Sequence, residues 1–184
     1  MKLLFKMTSL LLASGIAVNS WALTIDAGAT DVGVLDDLYA DTYLGNSGDT
    51  TELHWVEDTL GLATDSLLFN VKIDTVATDW TLVDGTPSTY AFALATDPEY
   101  YLIKIGTGNL PLGVSSHYLF TNNSEFSYAV LDLTDICSTC TDLSNINIGR
   151  ISHVGEVFST VPEPATLALF GMGLLVLAVS RRKV

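Results

Sequence analysis

Thr89 to Ile105 reads TYAFALATDPEYYLIKI, two apolar runs broken by Thr96-Asp97-Pro98, and the spacing inside each run decides the fold class. Tyr90, Phe92 and Leu94 recur every second residue, as do Tyr101, Ile103 and Ile105. A period of two puts alternate side chains on one face of a strand, where a helix would need a period near 3.6. The same alternation extends outward through Leu53 and Trp55, Leu67 to Ile73, Trp80 and Leu82, Phe126 to Val130, and Ile146 and Ile148. Turn-forming clusters separate the runs at Gly45–Asp49, Asp84–Pro87, Gly106–Asn109 and Thr121–Ser124. With no convincing amphipathic helix in the pattern, the expected fold is all-β, an antiparallel β-sandwich of jelly-roll type. Leu23 to Gly28 is expected as the first strand, Asp31 to Tyr43 is readable either way, and Gly155 to Val161 is expected as a short tether.

The two ends are of another kind. Residues 1–22, MKLLFKMTSLLLASGIAVNSWA, place Lys2 and Lys6 before an apolar stretch that ends in the small residues Ser20 and Ala22. This is the layout of a secretory signal peptide, cut after Ala22 by signal peptidase once the Sec translocon has engaged it. Residues 161–184 run from Val161-Pro162-Glu163-Pro164 through an uncharged segment, Ala165 to Ser180, to Arg181, Arg182 and Lys183. As a helix, 165–180 would extend roughly 24 Å, a little short of a hydrocarbon core of about 30 Å that snorkelling cations and local thinning can match. The basic cluster marks a stop-transfer end held in the cytoplasm, with the bulk of the chain outside. The expected organisation is therefore a signal peptide at 1–22, a β-sandwich domain at 23–160 and an anchor segment at 161–184 with a transmembrane helix near 165–180.

Removing the ends changes the charge. Of eight Lys and Arg residues only Lys72, Lys104 and Arg150 lie between Leu23 and Pro164, against all 21 carboxylates, a net charge of about −18. Such a body repels nucleic acid and anionic lipid, and neither is expected as a partner.

The order of a Pro-Glu-Pro, an apolar helix and a basic cluster at the chain end resembles the PEP-CTERM sorting domain of exported proteins in Gram-negative bacteria that make extracellular polysaccharide. YYLIKIGTGN (Tyr100 to Asn109) and Ile151-Ser152-His153 are similar to stretches common in the bodies of such proteins. The resemblance implies Pro162, Glu163 and Pro164 as recognition residues for an exosortase, a membrane-embedded cysteine protease, and Arg181 to Lys183 as the stop-transfer cluster. It also implies an exported protein, held at the inner membrane transiently or permanently before the surface or extracellular space, with exopolysaccharide as an associate. The prolines suit that role, since they keep the backbone extended where a protease must grip it, and Pro164 can open a helix at its first turn.

Few residues of the body carry a chemical signature. Cys137 and Cys140, the only cysteines, are expected to pair in a short-loop disulfide in an oxidising compartment. A zinc site would need four ligands, and His54, His117 and His153 lack the spacing of a local ligand motif. His153 stands out only through the family pattern. Asp26, Asp31, Asp36, Asp37 and Asp41 cluster near the first strand and offer the oxygen ligands a calcium ion would take, without the spacing of an EF-hand, and no other metal or cofactor is expected. Trp55, Trp80, Tyr100 and Tyr101 are the candidates for an aromatic platform, and since adjacent strand residues face opposite ways, one of the two tyrosines is expected to be exposed. Nucleophile elbows, paired helical histidines and phosphate-binding glycine loops are missing, so the expected function is non-catalytic. It is that of a structural or interaction component of a surface or biofilm matrix, with a carbohydrate-binding module as the alternative.

Overall fold

The computed structural model describes residues 22–45, 48–106, 108, 114–123, 126–136 and 147–159. Strands β1 (Leu23–Ile25) and β2 (Thr30–Gly33) form a hairpin. Strand β3 (Asp37–Thr42) is followed by helix α1 (Asp49–Leu60) and strands β4 (Leu67–Asp74), β5 (Thr81–Leu82) and β6 (Thr89–Ala93). Strands β7 (Tyr100–Ile105), β8 (His117–Thr121) and β9 (Tyr128–Asp132) come next. One helical turn, α2 (Leu133–Ile136), and strand β10 (Ile151–Ser159) complete the described fold.

All pairings are antiparallel. β3-β8-β7-β10-β4 form a five-stranded sheet and β5-β6-β9 a three-stranded one. The alternation of β7 now has its reason. Tyr101, Ile103 and Ile105 point from the large sheet into a core shared with Phe92, Ala129 and Leu131 of the small sheet, and with Trp80. Residues of the opposite parity, Tyr100 and Leu102, meet Leu119, Val157 and Val56 under helix α1. On the far side, the β1-β2 hairpin covers Ala91 and Val130 with Ile25 and Val32. The layers are helix, large sheet, small sheet and hairpin.

The expectation of antiparallel sheets enclosing one core holds, but five strands against three with an added helix is not the two four-stranded sheets of a jelly roll. Two local expectations are corrected. Leu53 and Trp55 lie on α1, not on a strand. Their two-residue spacing imitated alternation, while the helical period runs through Leu53, Val56 and Leu60; the inward face also carries the buried Glu52 and Glu57, which interrupt its apolar stripe. The helix ends at Gly61, where φ is +69° and its N–H and that of Leu62 return to Asp58 and Glu57 carbonyls, a left-handed cap that glycine adopts without strain. Similarly, Gly155–Val161 is not a tether as far as Ser159. These residues belong to β10, an inner strand paired with β7 and β4 at once.

Gly155 is required there by space. A Cβ at that position would stand 2.5 and 2.8 Å from ring carbons of Phe69, whose ring lies across β10 beneath the helix. Gly155→Ala is expected to cost about 1–3 kcal/mol in denaturant unfolding, through displacement of that ring. The cost should shrink in a Phe69→Leu background; equal costs in both backgrounds would refute the clash.

Candidate functional site

Register brings the scattered basic residues together. His117 of β8 is opposite Lys104 of β7, and Lys104 is opposite His153 of β10. Lys72 on β4 is opposite Gly155, two residues further along β10. Above this row, helix α1 lowers Glu52, which is fully buried. Its Oε2 accepts from Lys72 Nζ at 2.7 Å and lies 3.3 Å from His153 Nε2; its Oε1 lies 3.3 Å from His117 Nε2 and 4.0 Å from Lys104 Nζ. The His153 approach is an ion-pair distance outside hydrogen-bond geometry, and His153 Nε2 has no hydrogen-bond partner. Lys72 also donates to Asp49 at 2.6 Å, one helical turn before Glu52, and its ammonium sits over the Phe69 ring.

Burial pushes the Glu52 carboxyl upward, but His117, His153 and Lys72 together outweigh it and hold the group far below the ordinary glutamate range. Lys72 is opposed by burial too, yet Asp49 and Glu52 raise its pKa. The cluster thus keeps a charged carboxylate inside the protein. Its hydrogen bonds continue to Ser116, whose Oγ is 2.8 Å from His117 Nδ1 and accepts from the Leu44 N–H. Hydroxyl, imidazole and carboxylate make the composition of a nucleophilic triad, but all three residues are sealed from solvent and Ser116 is already committed to backbone. What this arrangement does is fasten a helix to four strands.

A second feature faces solvent. At the end of the large sheet where β10 finishes, an open cleft of about 480 Å³ lies between the last turn of α1 and the ends of β3, β7 and β10. Tyr39 and Tyr100 meet there edge to face, with centroids 5.6 Å apart and planes at 79°. Leu62, Glu99, Phe158 and Ser159 contribute to the lining. Burial, then the neighbouring Glu99 carboxylate and Tyr39, raises the pKa of the Tyr100 hydroxyl.

The residues singled out from sequence are distributed as follows. Tyr100 and Tyr101 do split between faces: Tyr101 is fully buried, stacked on Phe120 and donating to Asp36 at 2.7 Å, while Tyr100 lines the cleft. Trp80 is core, against Phe92. Trp55 is half-buried on α1, and His54 pairs with Asp65 at the surface. The five aspartates proposed for calcium do not converge. Asp36 is buried and accepts from Tyr101 and from the Asn123 and Val130 amides, Asp31 accepts from the Gly33 amide, Asp37 from Asn123, Asp41 from Ser115, and Asp26 sits in the β1-β2 turn. Among the described residues no group of three or more His, Cys, Asp or Glu is arranged to hold a metal ion. Cys137, Cys140, Pro162 to Pro164, Arg181 to Lys183 and the expected membrane span at 165–180 lie outside the described residues, as does the signal peptide apart from Ala22. Among the described residues no helix is long and apolar enough to cross a membrane.

Residues 160–183 match the family model of the PEP-CTERM protein-sorting motif, the C-terminal sorting signal of exosortase substrates. The chain carries that motif. It begins at the residue after Ser159, so the PEP-CTERM signal leaves directly from an inner strand of the sheet and from the edge of the cleft. A PEP-CTERM signal implies export, membrane-anchored sorting, and processing by an exosortase, a membrane protease. No curated protein and no solved structure matches the chain.

Glu52 was missed by sequence reasoning, although one signal was present: in a body with three fixed cations, Lys72 and Lys104 both fall mid-strand among apolar neighbours. Glu52→Ala should destabilise by about 3–5 kcal/mol, since it leaves buried basic groups without their counter-charge, and Lys72→Met by less because Glu52 keeps its other partners. Equal chemical-denaturation midpoints for wild type and Glu52→Ala would disprove the fastening role. Asp36 acts on the pH profile in the opposite sense to Glu52. Burial, offset only in part by three hydrogen bonds, raises its pKa to about 6. The folded state therefore holds this proton more tightly than the unfolded chain. Its stabilising contribution is full below the ordinary aspartate value near 3.8 and is lost as pH rises through about 6. Thermal melts from pH 4.5 to 7 should show wild type losing roughly 2 kcal/mol relative to Asp36→Asn across that window, and parallel profiles would refute the assignment.

Proposed function

We propose that the protein is a non-catalytic β-domain delivered by exosortase-type sorting to the cell surface or the extracellular matrix, where it works as a structural or interaction component associated with exopolysaccharide or biofilm. The observation that carries this reading is the PEP-CTERM motif at residues 160–183, which begins at the residue after the last described strand of an acidic domain. Two further features support it. Glu52, His117 and His153 are buried under α1, where they hold the fold. The body's charge of about −18 keeps copies apart and soluble after release. The carbohydrate-binding alternative draws support from Tyr39 and Tyr100 alone, and planes at 79° do not give a sugar ring a shared stacking surface.

The test is delivery. A chain ending at Ser159 should be exported yet lost from the surface-associated fraction, and mass spectrometry of intact-gene material should find a new N-terminus at Leu23. Unchanged amounts at the surface without residues 160–184 would overturn the sorting role.

A further inference from the structure

The cleft at the end of β10 has a position fixed by the chain itself. Ser159 lines it, and only residues 160–164 separate Ser159 from the uncharged segment that starts at Ala165. The six steps from Ser159 to Ala165 reach at most about 22 Å even fully extended. While the sorting segment is anchored, the cleft cannot stand further than that from the lipid surface.

Its chemistry fits that neighbour. Tyr39, Leu62 and Phe158 are exposed apolar side chains, 49%, 42% and 36% accessible, gathered at one end of the sheet. Tyrosine seeks the level of lipid headgroups, with its ring in the apolar boundary and its hydroxyl in water, while leucine and phenylalanine favour the apolar side of that boundary. Within the cleft, two aromatic rings at right angles and the Glu99 carboxylate form an electron-rich corner, and no lining residue is basic. A corner of π faces backed by a carboxylate is what attracts an ammonium or quaternary ammonium group. Anionic headgroups, by contrast, meet a body of strongly negative charge.

We propose that this cleft is a membrane-contact site that takes the ammonium head of a zwitterionic lipid, phosphatidylethanolamine or phosphatidylcholine, in the bilayer that holds the sorting segment. Tyr39, Tyr100 and Glu99 receive the cation, while Leu62 and Phe158 rest at the apolar boundary. The domain then lies against the membrane at the point where the exosortase must grip residues 160–164. This rests on the anchoring reading above.

The full chain is reconstituted in nanodiscs of phosphatidylethanolamine with phosphatidylcholine, and separately in discs of phosphatidylglycerol, and amide hydrogen exchange is followed at 37–42, 60–66 and 157–159. Exchange there should be roughly three- to tenfold slower in the zwitterionic discs, and the difference should vanish in Tyr39→Ala/Glu99→Gln, with exchange of the same segments in lipid-free protein as the control for any local loosening. Leu62→Ser serves as a second variant and should weaken the protection. Equal protection in both discs would overturn headgroup recognition. Absence of protection in either, or its appearance only after a membrane protease is added, would overturn the lipid contact. A chain that fails to co-purify with discs at all refutes the anchoring reading, an outcome separate from a chain that inserts and shows no protection.

Discussion

The structure depends on one buried charge. Glu52 is held inside the protein by groups from β4, β7, β8 and β10, so a single carboxylate from α1 ties four strands that are far apart in sequence. A charge in that position is unfavourable alone and strongly held when surrounded, and breaking such a set costs far more than forming it gains. The consequence is positional specificity. Few other placements of α1 on the sheet would give Glu52 Lys72, His117 and His153 together, and a sheet register shifted by one residue would turn the whole basic row to the opposite face.

The other carboxylates follow a related logic with different partners. The body holds three fixed cations against 21 carboxylates, and among the described residues several acids accept from backbone amides. Glu57 receives the Asp65 and Leu67 amides and closes the loop from α1 to β4. Asp84 receives those of Ala27 and Gly28 and holds the β1-β2 turn, whose residues 26 to 28 all have positive φ. Glu156, pointing from β10 away from the helix, receives the Ala95 and Thr96 amides. Asp36 does the same for the start of β3. The acidity that keeps the surface solvated is thus also a supply of acceptors for loops.

Legibility in the sequence followed how local the cause was. β7 was legible because one face packs against the core and the pattern is contained within the strand; β4 was legible as a strand, although a register shift sends Leu67 and Phe69 to the helix side and Ile73 to the core between the sheets. Helix α1 was not, since its inward face carries Glu52 and Glu57 and an acid counts as polar until its partners are known. The basic row was invisible for a further reason: residues 72, 104, 117 and 153 become neighbours only through the order β8-β7-β10-β4, which depends on β10 inserting between two earlier strands. Tyr100 was correctly read as facing away from Tyr101, but its partner Tyr39 lies on β3, two strands distant, and no spacing within the sequence announced that encounter. The sorting motif was readable because it is a linear string.

The inner position of β10 has a bearing on how the chain matures. A polypeptide synthesised from its N-terminus holds β4 and β7 long before the strand that joins them, and each waits with an open edge until residues 151–159 follow. Those nine residues directly precede the sorting motif in the chain. Completion of the sheet and arrival of the address therefore coincide, and a chain truncated during synthesis has neither a closed fold nor a destination.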